Sequence, residues 1–190
     1  MKYYNLVHKQ TPWGDYSEML LTGMTAYLDR QDDLLQYQRT GPFQPDLTLS
    51  GYKDLLVKNS IKEKIEISDL RGFSFKPVIK RHIVPVNWTA WDMTNDEPEF
   101  YPENGEPEGY ILDLPHSQEL ADKMEDVWEV VVPTNGTFSE NGTFHSYNPE
   151  LDIMLPDNKY WFIVTEKAKS WLQQNCDNWI EFVEVNASVL

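Results

Sequence analysis

The sequence predicts an α+β fold: a mixed sheet with a few short helices, including two pseudo-repeated strand–helix–strand units. Three features lead there. Apolar residues fall into many short runs of strand length, and only three stretches carry a helical stripe behind a Ser or Thr cap. Gly, Pro and Asn-Gly punctuate the runs throughout the chain. Two distant segments, 47–79 and 161–185, read as the same order of strand, cap, helix, asparagine and strand.

Taken in order, residues 3–7 are β-rich and open the sheet. Residues 11–15, with Pro12 and Gly14, form a turn. Residues 19–28, interrupted by Gly23, and 34–38 flank the polar stretch 29–33, the layout of a strand hairpin with a charged tip. Residues 39–45 are rigid and irregular, because Pro42 and Pro45 hold the backbone extended. In the first repeated unit, 47–49 is a strand and Ser50 is an N-cap. Tyr52, Leu55 and Leu56 then share one face of a helix over 51–58. Asn59 stops that helix, and 73–79 alternates as a strand does. In the second unit, 161–164 is the strand and Thr165 the cap. Ala168, Trp171 and Leu172 make the stripe of a helix over 166–174, Asn175 closes it, and 179–185 follows as a strand. The two helices are expected to pack on one shared sheet. Between the units Ser117 caps a third helix with the stripe Leu120, Met124 and Val127, and Glu119 and Asp122 suit its positive start. Residues 130–132 read as a short strand, and Asn135-Gly136 with Asn141-Gly142 predict a hairpin over 135–145.

A chain of 190 residues fits one domain, 1–190, and buries about 70% of its unfolded surface without a staple. The single cysteine, Cys176, forms no internal bridge, which favours a reducing compartment. The first residues turn polar at His8, and no run approaches the ~20 apolar residues of a membrane span, so a cytoplasmic protein is expected. His8, His82, His116 and His145 are scattered without metal-ligand spacing, and no nucleophile elbow, phosphate loop or dinucleotide fingerprint occurs. Neither a catalytic residue nor a cofactor or metal is assigned. Cys176 follows a helix stop and reads as a packed thiol. The seven tryptophans read first as core.

Charge is distributed unevenly. Residues 1–91 carry 12 bases and 10 acids, whereas 92–190 carry 4 bases and 21 acids. This contrast marks the one subdivision available, a near-neutral half over 1–91 and an acidic half over 92–190. Within 92–158 there are 17 acids and one base, Lys123, and also seven of the twelve prolines. Such a surface repels nucleic-acid phosphates and anionic lipid heads, so neither nucleic acid nor membrane is an expected partner. Residues 92–109 read as an acidic surface loop without the Asp-x-Asp-x-Asp-Gly spacing of a calcium site. One reading of that loop is a solvated, solubilising segment. The other is a docking face for a basic protein, formed by Asp96, Glu97, Glu99, Glu103, Glu106 and Glu108, with Phe100 and Tyr101 as apolar anchors among the acids.

Several stretches carry a family resemblance. They are Arg-Thr-Gly-Pro-Phe-Gln-Pro at 39–45, Leu-Arg-Gly-Phe-Ser-Phe-Lys-Pro-Val-Ile-Lys-Arg-His-Ile-Val at 70–84, and the Trp88, Trp91, Asp92 spacing. Phe-Ile-Val-Thr-Glu-Lys-Ala-Lys at 162–169 and Phe-Val-Glu-Val at 182–185 complete the set. Together they resemble a group of bacterial proteins, many of them immunity proteins of polymorphic toxin systems. The resemblance covers about half of the chain and rests on strand and cap signatures, so it carries no active-site residues, and the acidic 92–158 segment has no counterpart in it. It implies a cytoplasmic antitoxin-type protein that neutralises a basic toxin domain by direct binding. The alternatives from other classes are a hydrolase using carboxylates and a tryptophan-lined module for glycans or other ligands. A close carboxylate pair in a pocket favours the first of these, and a row of exposed tryptophans the second.

Overall fold

The computed structural model describes residues 1–26, 34–51 and 53–188, and these form a mixed α+β fold. In chain order the elements are β1 (Tyr3–His8), α1 (Asp15–Thr22), β2 (Met24–Ala26), β3 (Gln36–Gly41), β4 (Leu47–Ser50), β5 (Asp54–Lys58), α2 (Asn59–Glu66), β6 (Ser74–Pro77) and β7 (Ile79–Pro85). A 3₁₀ turn at Trp88–Ala90 leads into the acidic loop. Then follow α3 (Gly109–Leu112), α4 (Gln118–Lys123), β8 (Val127–Val131), β9 (Thr137–Phe138), β10 (Phe144–His145), β11 (Ile153–Met154), β12 (Ile163–Thr165), α5 (Glu166–Asn175) and β13 (Ile180–Val185).

Two four-stranded sheets share one topology. The first has the order β4-β5-β8-β6 and the second β11-β12-β1-β13. In each, an antiparallel pair leads into a helix that crosses to the far side of a central strand. β5 and β6 both run antiparallel to β8, with α2 between them in sequence. β12 and β13 both run antiparallel to β1, with α5 between them. Each unit is thus a split β-α-β, and the central strand comes from elsewhere in the chain. β1 lies before residue 91 and completes the sheet of the acidic half, while β8 lies after it and completes the sheet of the near-neutral half. The helices do not share one sheet: α2 lies on β5 and β8, and α5 on β12 and β1. They do share one core, in which Ile61 and Ile65 of α2 and Ala168 and Leu172 of α5 join Tyr4, Leu6, Leu55, Val57, Val130 and Val164.

The caps explain where two helices start. The Thr165 side chain accepts from Ala168 N at 3.2 Å and donates to Asp152 Oδ1 at 2.9 Å, and the Ser117 side chain accepts from Leu120 N at 3.3 Å. Because Thr165 is buried and bonded twice, Thr165→Ala should cost about 2 kcal/mol and Ser117→Ala about 1 kcal/mol. Urea midpoints read at constant m-value check this; equal, negligible losses would remove the caps from the account.

The helix expected over 51–58 is instead the end of a hairpin. Gly51 has φ +61°, the left-handed conformation that a tight turn needs, and Ser50 pairs with Asp54 across it. The run Leu55, Leu56, Val57 is buried on both faces of β5, Leu56 facing Leu35, Tyr37 and Val127 while its neighbours enter the shared core. Ser50 caps nothing; its hydroxyl donates to the Gly23 carbonyl at 3.5 Å. Asn59 opens the helix rather than closing it. Ile61 and Ile65, four residues apart, supply its buried face, and Glu125 Oε2 accepts from Ser60 N at its start. Tyr52 lies outside the described residues.

Residues 19–22 are also not strand. They end α1, whose Leu20 and Leu21 pack on Val84, Val86 and Trp88, and Gly23 at φ +67° breaks the helix into β2. β2 and β3 do pair antiparallel, as a hairpin requires; its expected tip, 29–33, lies outside the described residues. β3 continues through Arg39, Thr40 and Gly41, so these residues are strand, and it pairs in parallel with β7. The expected strand 73–79 is divided into β6 and the start of β7, which serve different sheets. The hairpin at 135–145 forms as β9 and β10.

Candidate docking face

The acidic loop leaves β7 through Trp88 and Trp91, both buried, and returns through Tyr110 on α3. Local geometry is set by short polar side chains. Asp92 Oδ1 accepts from the Thr94 N–H and hydroxyl, which holds its carboxyl below the usual range, and Asn104 Oδ1 accepts from Glu106 N. Pro98 and Pro102 are buried. Three aromatic donors bind the loop backbone from beneath: Trp13 Nε1 to Asn95 O at 2.9 Å, Tyr16 OH to Gly105 O at 2.6 Å and Tyr110 OH to Phe100 O at 2.5 Å. Burial pushes the Tyr110 phenol up to about 12, so it remains a donor at neutral pH.

Phe100 and Tyr101 each keep 45% of their surface exposed, yet neither is loose. The Phe100 ring lies edge-on to Trp91 at 5.2 Å and to Tyr110 at 5.4 Å, and Tyr101 lies edge-on to Tyr16 at 5.0 Å. Beneath them Leu20, Leu21, Val84, Val86 and Trp88 complete one buried cluster. Around these anchors Asp96, Glu97, Glu99, Glu103 and Glu106 are exposed and Glu108 is half-buried. None of the six makes an ion pair with a described residue, although lysines pair acids elsewhere, as in Lys58 with Asp46, Lys80 with Asp126 and Lys167 with Asp69 and Asp152. The loop therefore presents concentrated charge, unpaired by any described residue, on an aromatic base.

Other candidate chemistry is arranged differently. The His82 and His116 rings, far apart in sequence, lie 5.8 Å apart. Their nitrogens are engaged by backbone: His82 Nε2 by the Ile111 and Leu114 carbonyls, and His116 Nδ1 by Ile83 N. No group of three His, Cys, Asp or Glu side chains suited to a metal ion occurs among the described residues. Of the described tryptophans only Trp161, 40% exposed, stands among the exposed large apolar residues, so no row of exposed rings forms. No described helix is long and apolar enough to cross a membrane.

The carboxylates of Asp46 and Asp177 do meet. Asp46 N donates to Asp177 Oδ2 at 3.0 Å, Asp177 N donates to Asp46 Oδ2 at 2.8 Å, and Lys58 Nζ lies 2.5 Å from Asp46 Oδ1. This bracket ties the start of β4 to the turn after α5, one oxygen of each carboxylate accepting from the other residue's backbone N–H. Of these oxygens, only Asp177 Oδ1 lacks a partner among the described residues. Burial pushes the Asp177 carboxyl up to about 6, against the pull of the Asp46 N–H; the Asp46 charge raises it further, while Lys58 and Arg39 lower it. Burial likewise pushes the adjacent Cys176 thiol up to about 12, as suits a packed, unreactive side chain. Since Asp177 holds its proton more tightly when folded, stability should fall as pH rises from about 4 to about 6 and then level off. Asp177→Asn keeps the acceptor, so it should flatten that window and stabilise the chain by about 1–2 kcal/mol at pH 7, allowing for partial solvent screening. Urea midpoints of both proteins across this range decide it, and parallel profiles would refute the assignment.

Comparison with known proteins places no relative beside this geometry: no family model, no curated protein and no solved structure matches the chain.

Proposed function

We propose that this chain is an immunity-type binding protein, which neutralises a basic toxin domain by direct contact through residues 92–109. One observation carries the reading: six carboxylates without an ion pair among the described residues flank, in sequence, Phe100 and Tyr101, two half-exposed rings packed on Trp91, Tyr110 and Tyr16. Charge of one sign on a surface attracts a partner of the other and speeds encounter. A preordered aromatic pair then supplies area at little entropic cost, as interface hot spots do. The resemblance of the strand and cap segments to bacterial immunity proteins agrees with this, and the net charge of −15 makes a cationic domain the favoured partner. A carboxylate hydrolase is less well supported, because Asp46 and Asp177 each give one oxygen to the other's backbone N–H and Asp46 gives its second to Lys58. A glycan platform would need several exposed tryptophans.

The test is retention of proteins from the native host on the immobilised chain at low salt, followed by salt elution. A basic protein should be retained by the parent and released as salt screens the charges beyond ~8 Å. Equal retention by a variant with all six acids replaced by amides would reduce the loop to a solubility device.

A further inference from the structure

A strand at the edge of a sheet exposes unpaired backbone groups and recruits strands from other chains unless something blocks it. Blocks are visible at several edges here. β6 ends in Lys76 and Pro77, β7 is covered by the segment in which Ser117 N donates to Ile83 O, and β11 has only two residues. β13 lacks those particular blocks. Its six residues, Ile-Glu-Phe-Val-Glu-Val, include no lysine, proline or glycine, and among the described residues it pairs along one side only, with β1. The register places Val185, Val183 and Glu181 opposite Tyr3, Asn5 and Val7, and Lys9 N donates to Trp179 O one step further. Antiparallel ladders alternate, so Ile180, Phe182 and Glu184 turn their N–H and C=O groups outward.

The next outward groups along this lane, Asn186 C=O and Ser188 N–H, are already taken by Phe144 of β10 in a parallel bridge. The chain therefore uses this edge for strand addition itself, and stops short of residues 180–184. Val183 is 52% exposed there. Against the same strand lies a cavity of about 190 Å³, lined by Ile180, Phe182, Leu47, Leu172 and Asp177. That is below the about 300–1,000 Å³ of small-molecule sites and suits a single side chain. Asp177 also lines it, and its Oδ1 is buried without a partner among the described residues. Glu181 is exposed along the strand, as is Glu184, whose carboxylate accepts from Lys2 Nζ at 3.0 Å, and a second copy would set −15 against −15. A basic segment is the complementary occupant.

We infer that the outer edge of β13 takes up an extended, lysine- or arginine-bearing segment of a protein partner as an added strand. The segment pairs its backbone with Ile180, Phe182 and Glu184 and places one basic side chain in the cavity beside Asp177. Main-chain bonds supply affinity and the cavity supplies selectivity, as in other strand-addition sites. This rests on the reading of the chain as a binder of a basic protein, and adds a directional contact to the non-directional attraction of the loop.

The probe is a blocked eight-residue peptide of alternating lysine and valine, compared with an analogue N-methylated at alternate residues. Binding is followed by fluorescence anisotropy, and its place by amide hydrogen exchange. The peptide should slow exchange at Ile180, Phe182 and Glu184, and the methylated analogue should bind at least about tenfold more weakly. Asp177→Asn should also weaken the peptide about tenfold, with its melting curve recorded to exclude unfolding. Glu184→Pro, which removes an outward N–H, should abolish protection, and Glu184→Gln, which loses the Lys2 ion pair but keeps that N–H, should retain it. Absence of peptide binding at low salt, or equal binding of the methylated analogue, overturns the proposal. Loss of the peptide in the six-amide loop variant overturns it too, and leaves the loop standing as the docking face. Protection at 180–184 in a chain that retains no basic host protein supports the edge and instead removes the immunity-type reading of the loop.

Discussion

Truncating Trp88 to alanine should cost the fold about 3–5 kcal/mol. The side chain is fully buried, 0% exposed, at the root of the acidic loop. Its ring meets Phe43 at 5.3 Å and Trp179 at 5.7 Å, so one residue joins the end of β7, the chain after β3 and the start of β13. Deletion loses the transfer free energy of the ring and leaves a void that three separate segments cannot close together. Against a total stability of about 5–15 kcal/mol for a domain, that is a large share. Trp88→Phe separates packing from hydrogen bonding. Trp88 Nε1 is buried with no partner among the described residues, so phenylalanine forfeits no bond and should cost only about 1–2 kcal/mol. Urea unfolding of the three proteins measures both steps, and a tolerated alanine would show that the cluster beneath the loop is not the support described.

Replacing Asp96, Glu97, Glu99, Glu103, Glu106 and Glu108 by their amides should slow association with the retained basic protein by about 10- to 100-fold at low salt. The dissociation rate should change little, because exposed charges act over distance and raised salt imitates their removal. Tyr101→Ala should behave in the opposite way. The ring packs on Tyr16 and stays half-exposed, so truncating an anchor of this kind should raise the dissociation rate about 30-fold and leave association nearly intact. Phe100→Ala tests the neighbouring ring, and Phe100→Leu controls for the packing it shares with Trp91 and Tyr110. Stopped-flow or surface-binding kinetics at two salt concentrations resolves the two rates. If amides and alanines all bind as the parent does, the docking face lies elsewhere, and the β13 edge becomes the place to look.

Much of the candidate site is legible before folding. The contrast of 17 acids with one base across 92–158, and the Phe-Tyr pair within it, are properties of the chain itself. What lies under the pair is not. Trp13, Tyr16 and Tyr110 reach the loop from distant positions, and no spacing rule links residue 16 to residue 105. That none of the six carboxylates pairs with a described residue is equally a tertiary fact, since it depends on where the described lysines are placed. So is the β13 edge: its sequence reads as a strand, but only the sheet order shows which side is open.

By itself the sequence determined those features whose energetics are local. Ser117 and Thr165 cap helices because a hydroxyl three residues before a free N–H satisfies it wherever the helix lies. The turn at Asn141-Gly142 makes the β9–β10 hairpin, and the many short strands between turn residues fix the α+β class. The tertiary structure decided the rest. Leu55 and Leu56 fit the stripe of a short helix as well as a doubly buried strand, and burial of Leu55 and Val57 against one cluster and of Leu56 against another selected the strand. Helix α2 then fell to the next residues, where Ile61 and Ile65 had the spacing and Glu125 offered an acceptor at its start. Arg39 and Thr40, read as rigid irregular chain, became a fully buried strand because Ile83 and Val84 of β7, distant in sequence, pair with them. A short apolar run carries too little periodicity to choose its own partner, and the partner, once present, chooses the conformation.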